Sequence, residues 1–213
     1  PQSLLDLIPP DGGLPQAYRE KINKLPKPSG AIVFYGALTR SNLPVDCSSH
    51  VQVFDEHFGS LFISISMEGD ERAPAGMATL IASIFVDVEE WSNLDSQSYT
   101  SKKNIVIKQI VRIINNKLHL PETCWTHQEL STPRSFERWT GRPGGIVGGL
   151  GQHPSQFGPF GLPSRTPIKG LWLCGDSIYP GEGTAGVSQS AMMAVRQLME
   201  CKGRRLKIPI FNK

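Results

Sequence analysis

No window of the 213 residues holds the ~18 consecutive apolar residues that a membrane-spanning helix needs. A strong charge of one sign is also missing. The 22 basic and 19 acidic side chains leave a net +3, too little for the concentrated basic face of a nucleic-acid binder. The one basic cluster, CKGRRLK at 201–207, reads as a solvated end or as a contact for anionic lipid headgroups. Cysteine is scarce. Cys47, Cys124, Cys174 and Cys201 form neither a C-x-x-C pair nor a secreted-scaffold spacing, so they read as reduced and the compartment as intracellular. His50 and His57, or His119 and His127, lack the i, i+4 spacing of H-E-x-x-H, and no cysteine stands near enough to complete a zinc site; no metal is assigned. The opening PQSLLDLIPP carries no starting Met, basic n-region or cleavage-site pattern and reads as cut from something longer. What remains is an ordinary globular composition, 39% apolar and 19% charged, sufficient for one large or two small domains.

Periodicity supplies the elements. Leu14, Tyr18, Ile22 and Leu25 share one helical stripe, ended by PKPSG. AIVFYGAL at 31–38 reads as a buried strand, and MATLIASIFV at 77–86 as another. Between them LFISISM at 61–67 alternates Leu61, Ile63, Ile65 and Met67 against Phe62, Ser64 and Ser66, a strand with one face covered. EGDERAPAG supplies turn residues before the last strand, so the two flanking strands are expected to pair antiparallel. From Tyr99 to Leu118 the period becomes helical, with Ile107, Ile110, Val111, Ile114 and Leu118 inward and Lys and Asn on the wet side. A strand at Trp125–Leu130 and a turn of helix at Phe136–Trp139 follow. Strands in succession with inserted helices predict an α+β domain on an antiparallel or mixed sheet.

The composition then changes. Of 21 glycines, 13 lie between Gly141 and Gly186, a density that marks either a linker or a backbone that must approach something closely. Ile146, Val147, Leu150, Phe157, Phe160 and Leu162 are retained there, which favours an ordered loop region walling a cavity. Arg142 and Arg165 in this stretch read as guards of such a cavity, phosphate ligands, or loop arginines paired with carboxylates.

Inside GLWLCGDSIYPGEGTAGVSQSAMMAVRQLM, residues 170–199, GEGTAG is a literal G-x-G-x-x-G. A dinucleotide fingerprint must come directly off a strand, open a helix and precede a second strand with an acidic residue about 20 positions on. GDSIYP intervenes after GLWLC, read as a short strand, and only CKGRRLKIPIFNK follows the helix, so no βαβ unit fits. The local physics survives: strand, Gly-Asp turn, glycine-rich loop, then a helix with Val187, Ala191, Val195 and Leu198 on one stripe. Its leading N–H groups carry the positive end of the dipole and suit an electron-rich group, while Asp176 is placed to accept hydrogen bonds from sugar-type hydroxyls. GDS followed by Ile also evokes a hydrolase nucleophile at Ser177, but the last histidine, His153, precedes it and no downstream base exists.

GDSIYPGEGTAGVSQSA resembles the C-terminal flavin-contacting segment of FAD-dependent carotenoid desaturases and isomerases, the phytoene-desaturase-like branch of the amine-oxidase superfamily. SMEGDERAPAGMATLIAS and HQELSTPRSFERWTGRPGGIVGGLGQHPSQFGPFGLPSRTPIKGLWLCGDS narrow the resemblance to cyanobacterial-type carotenoid 3',4'-desaturases. It implies a two-domain FAD-binding fold whose N-terminal dinucleotide module is absent here. By it, 1–140 is a substrate-domain portion, 141–170 a glycine-rich loop region and 171–213 an FAD-contacting strand-loop-helix. It also implies FAD contacts at Gly175, Asp176, Gly183, Thr184, Ala185, Gly186 and Val187, with Asp176 on the ribityl or pyrophosphate part and the helix start at the flavin's pyrimidine edge. Phe157 and Phe160 would line a route for an apolar polyene or serve as plain core. The implied parent is a carotenoid desaturase transferring hydride to flavin, peripheral to a membrane and partnered by its own N-terminal half. A carotenoid isomerase, another amine-oxidase-superfamily flavoenzyme and a non-catalytic lipid- or carotenoid-binding module are the alternatives. No catalytic acid or base is assigned.

Overall fold

The ten residues Gly30–Thr39 form a long strand, β1, that pairs on both sides and so anchors a sheet. The structure, a computed structural model, describes residues 1–151, 153–156 and 160–204. Its chain forms two compact units, one of Ser29–Ile146 and one that joins Pro1–Pro28 to Val147–Lys213.

In the first unit β1 is followed by β2 (His50–Asp55), β3 (Gly59–Ile65), β4 (Met77–Val86) and β5 (Trp125–Ser131), in the spatial order β2-β3-β4-β1-β5. Every pairing is antiparallel, and Ile63 opposite Ala82 and Phe34 opposite Ala82 set one buried face. The unit is α+β, as the succession of strands and helices predicts. The sheet's buried side, including Ile32, Phe34, Leu61, Ile63, Leu80 and Ile84, packs in one cluster with Val106, Ile110, Ile114 and Leu118 of helix α4. That helix runs Ser96–Leu118, three residues longer at its start than its apolar stripe reveals, because Asp95 caps it by accepting from the N–H groups of Gln97 and Ser98. We number the other helices α1 (Gln2–Leu7), α2 (Gln16–Asn23), α3 (Glu89–Ser92), α5 (Pro133–Thr140) and α6 (Gly183–Cys201).

One close contact fixes the β1–β5 seam. A Cβ on Gly36 would lie 2.4 Å from the Trp125 ring, so glycine at this point is what lets the indole lie across β1 and meet Phe34 edge-on at 5.5 Å. The indole N–H donates to Asn115 Oδ1 at 2.9 Å. Asn115 is therefore buried, and the expectation that the asparagines of α4 sit on its wet side fails there because a core tryptophan needs an acceptor.

Two further sequence readings change. The alternation of LFISISM breaks after Ile65: Ser66 is buried and Met67 is exposed. Polar bonding reverses the pattern, since Ser66 Oγ accepts from the Thr79 N–H at 3.0 Å and from Arg40, whose guanidinium also reaches the Ser66 carbonyl at 2.7 Å. Strand β2 carries no sequence expectation, although its burial alternates from residue to residue. HVQVFD offers only Val51 and Val53 to the core, and at an edge two half-buried valines suffice.

Removing the Asn115 acceptor by Asn115→Ala leaves the Trp125 N–H unpaired and is expected to cost about 1–3 kcal/mol in urea unfolding. Between β3 and β4, Arg72 holds the Asp70 carboxyl down to about 2, chiefly by its side-chain hydrogen bonds and then by its own N–H. The contact stabilises the turn above the ordinary carboxylate pKa of about 3.9 and is lost as the pH falls through about 2. An NMR titration should find the Asp70 midpoint there and see it rise in Arg72→Ala; an unmoved midpoint refutes the pairing.

Candidate functional site

The second unit is built around α6, nineteen residues long. Its start is permissive. Gly183, Thr184 and Ala185 carry little or no side chain, and Glu182 takes an extended N-cap conformation with no side-chain cap bond. Glu182 instead turns its carboxylate to the Gly149 N–H, which donates to Oε2 at 3.3 Å. The first turn of α6 thus presents exposed residues and uncapped N–H groups at the positive end of its dipole. A Cβ on Gly183, at φ +85°, would meet nothing within 4 Å. The backbone is open to a flat ligand there.

Backbone packing holds the turn that precedes the helix. Gly186 lies against the Gly181 carbonyl so closely that a Cβ would sit 2.4 Å from that oxygen. One turn later Ser190, fully buried, accepts from the Gly175 N–H at 2.9 Å and donates to the Val187 carbonyl at 2.8 Å. This ties the Gly-Asp turn to α6. The glycine-rich loop closes from the other side, where a Cβ on Gly149 would lie 2.1 Å from the Asp176 carbonyl oxygen. Asp176 is half-buried and its Oδ1 accepts from Ser177 Oγ at 3.3 Å. The cleft beside it, walled by Leu150, Gly151, Leu162, Ile178 and Pro180, offers about 20 Å³, the room of one water rather than of a ring system.

Sequence reading located the parts unevenly. Gly175, Asp176 and Gly183 to Val187 do gather in one turn-and-helix arrangement. Ser190, Glu182 and Gly149 hold it together; the sequence marks Ser190 only as one of the small residues in the first turns of the helix and gives the other two no role. The stripe on α6 is corrected: Val195 and Leu198 are exposed, because the buried serine, not an apolar row, faces inward. GLWLC is corrected too. It forms a single bridge, Arg165 to Trp172, and Leu173 bonds to the Ser164 carbonyl at 2.7 Å, so this segment closes a loop instead of joining a sheet. Phe160 is exposed, and Phe157 lies outside the described residues. Among the described residues no group of histidine, cysteine or acidic side chains could hold a metal.

In the first unit the sheet's other face has apolar character of its own. Phe62, Ile81 and Phe85 are exposed on it, with Val33 and Tyr35 half-buried between strands. Cross-strand register places Tyr35 opposite both Ile81 and Glu129, and Glu129 stands 3.6 Å from His127. No helix among the described residues is long and apolar enough to cross a membrane.

No protein-family profile matches the chain. It is similar to chloroplastic prolycopene isomerases, with 29% identity over 180 residues to that of Daucus carota and 30% over 185 residues to that of Arabidopsis thaliana. An isomerase from an Oncidium hybrid cultivar is 28% identical over 181 residues. Each alignment covers 80% of this chain but only 29–31% of the relative. The chain therefore spans about three tenths of the length of the curated relatives it matches.

Ser190→Ala should destabilise the second unit by about 1–3 kcal/mol by stranding the Gly175 N–H. Gly186→Ala is the sharper test. Alanine in a helix interior ordinarily gains about 1 kcal/mol over glycine, so a fall in melting temperature would isolate the clash with the Gly181 carbonyl.

Proposed function

We propose that this chain is part of an FAD-dependent enzyme that modifies a carotenoid-type polyene. The observation that carries it is the open start of α6 beside Asp176, in a chain similar to prolycopene isomerases. The residues fit the cofactor. Asp176 offers a carboxylate to ribityl hydroxyls, Gly175 and Gly183 leave free space where a side chain would stand, Gly183, Thr184 and Ala185 bring the helix's free N–H groups to an electron-rich ring edge, and Gly186 and Val187 follow them in the same turn. Bound FAD supplies a two-electron acceptor or donor. Glu182, by engaging Gly149, keeps its own negative charge off that edge. The 20 Å³ cleft is too small for the ring, and on this reading a second half of the enzyme completes the flavin site.

The substrate is apolar on this reading, and the open sheet face with Phe62, Ile81 and Phe85 offers it the contact that dispersion requires. Phe160 is a second candidate contact. Desaturation, the loss of a hydride to flavin and of a proton from the next carbon, follows from the motif resemblance to 3',4'-desaturases. Isomerisation without net oxidation is the second reading, favoured by the relatives' names. Peripheral attachment to an intracellular membrane goes with either, since the polyene dissolves in lipid.

Equilibrium dialysis against FAD, with the chain alone and mixed with the N-terminal half of the carrot relative, tests the cofactor. Flavin should be retained only in the mixture, and Asp176→Ala should reduce it about tenfold or more. A folded mixture that retains none, or co-purifying carotenoid absorbance without flavin, overturns the reading in favour of a binding module. Product mass then separates the chemistries: two hydrogens fewer for desaturation, unchanged for isomerisation.

A further inference from the structure

At the far end of α6 from the proposed flavin contacts, the second unit has a cleft of about 340 Å³, within the range of small-molecule sites. One wall is the loop Arg165–Trp172. Buried Thr166 pins it, its Oγ1 donating to the Leu171 carbonyl at 2.8 Å and accepting from the Ile168 N–H at 3.2 Å. The other wall is the last turns of α6, with Leu198 and Cys201. Ile168, Leu171, Trp172 and Leu198 make the lining mostly apolar, and the indole is held in place by donating from Nε1 to Gln197 Oε1 at 3.2 Å.

The rim has the opposite character. Arg165, Lys169 and Lys202 all line the cleft, and none of them makes an ion pair among the described residues. The nearest acid in sequence, Glu200, is engaged by Arg196 at 2.9 Å. An apolar floor with three unpaired cations at its edge selects a ligand that is apolar along its length and anionic at one end. We propose that this cleft binds a single-chain anionic amphiphile of the fatty-carboxylate class, taken up as a monomer, with its chain on Leu171, Trp172 and Leu198 and its carboxylate among Arg165, Lys169 and Lys202. A neutral polyene leaves the cations without a partner. The proposal is independent of flavin binding.

Trp172 supplies the readout. Brominated dodecanoate, held below its micelle concentration, should quench tryptophan fluorescence saturably with one site per chain, and Trp172→Phe should abolish most of the quenching. Lys169→Glu with Lys202→Glu should weaken binding about tenfold, the effect of two exposed charge pairs. Dodecanol should bind at least about tenfold more weakly than dodecanoate for the same reason. The site is refuted if no saturable quenching occurs, if the alcohol binds as tightly as the carboxylate, or if the charge-reversed protein, folded by circular dichroism, binds unchanged. Binding only to phosphatidylglycerol vesicles would mean surface adsorption. A ligand-free dimer abolished by Leu198→Asp would give the cleft to a second copy of the chain, again overturning the proposal.

Discussion

Backbone pressed directly on backbone is the constraint from which the candidate site follows. The Asp176 carbonyl oxygen lies where a Cβ on Gly149 would stand, and the Gly181 carbonyl lies where one on Gly186 would stand. Neither approach leaves room for the smallest side chain. With those two contacts made, the Gly-Asp turn has one available shape, and Ser190 completes it by taking the Gly175 N–H that would otherwise be buried without a partner. The open helix start is a consequence: chain that arrives so tightly from Gly181 cannot also carry a side-chain cap, and Glu182 is left to bond the glycine loop.

The sheet unit uses the same device for a different end. Gly36 yields its side-chain space to the Trp125 ring, and the ring's one polar atom is met by Asn115 from α4. An apolar core thereby acquires a directional bond that helps set the register of β5 against β1 and the rotation of the helix above it. The bonding of Ser66 by Arg40 and the Thr79 N–H plays a similar part where β3 ends, turning the chain so that Met67 points outward.

What the sequence discloses follows from which forces have a period. Burial of one face repeats every two or 3.6 residues, so β1, β3, β4 and α4 are placed within a few positions by rows such as Leu61, Ile63 and Ile65 or Ile110, Ile114 and Leu118. Polar bonds have no period. Asn115, Ser66 and Ser190 are buried for reasons located tens of residues away or across a turn, and each looks like surface in the sequence. β2 is legible only through its partner β3, since Val51 and Val53 are too few to repeat. In the glycine-rich stretch, density alone signals close approach, but which glycine meets which carbonyl depends on the folded path. GLWLC illustrates the converse error: an apolar run reads as a strand, yet a strand also needs partners, and among the described residues its backbone is met by the short stretch just before it, Ser164 to Ile168.

The two ends of α6 are not electrostatically equivalent, and this bears on what each can bind. At Gly183 the uncapped N–H groups carry the positive end of the helix dipole, and no cation is needed to attract an electron-rich edge. Beyond Cys201 the dipole is reversed, so an anion placed there meets the negative end of the helix and is disfavoured by it. Lys202 stands at that end, and part of its charge offsets the helix carbonyls. The attraction of the cleft for an anion therefore depends more on Arg165 and Lys169, which belong to the loop and are owed to no dipole. That loop keeps its form through Thr166, a buried side chain whose hydrogen bonds to Ile168 and Leu171 set where both cations begin.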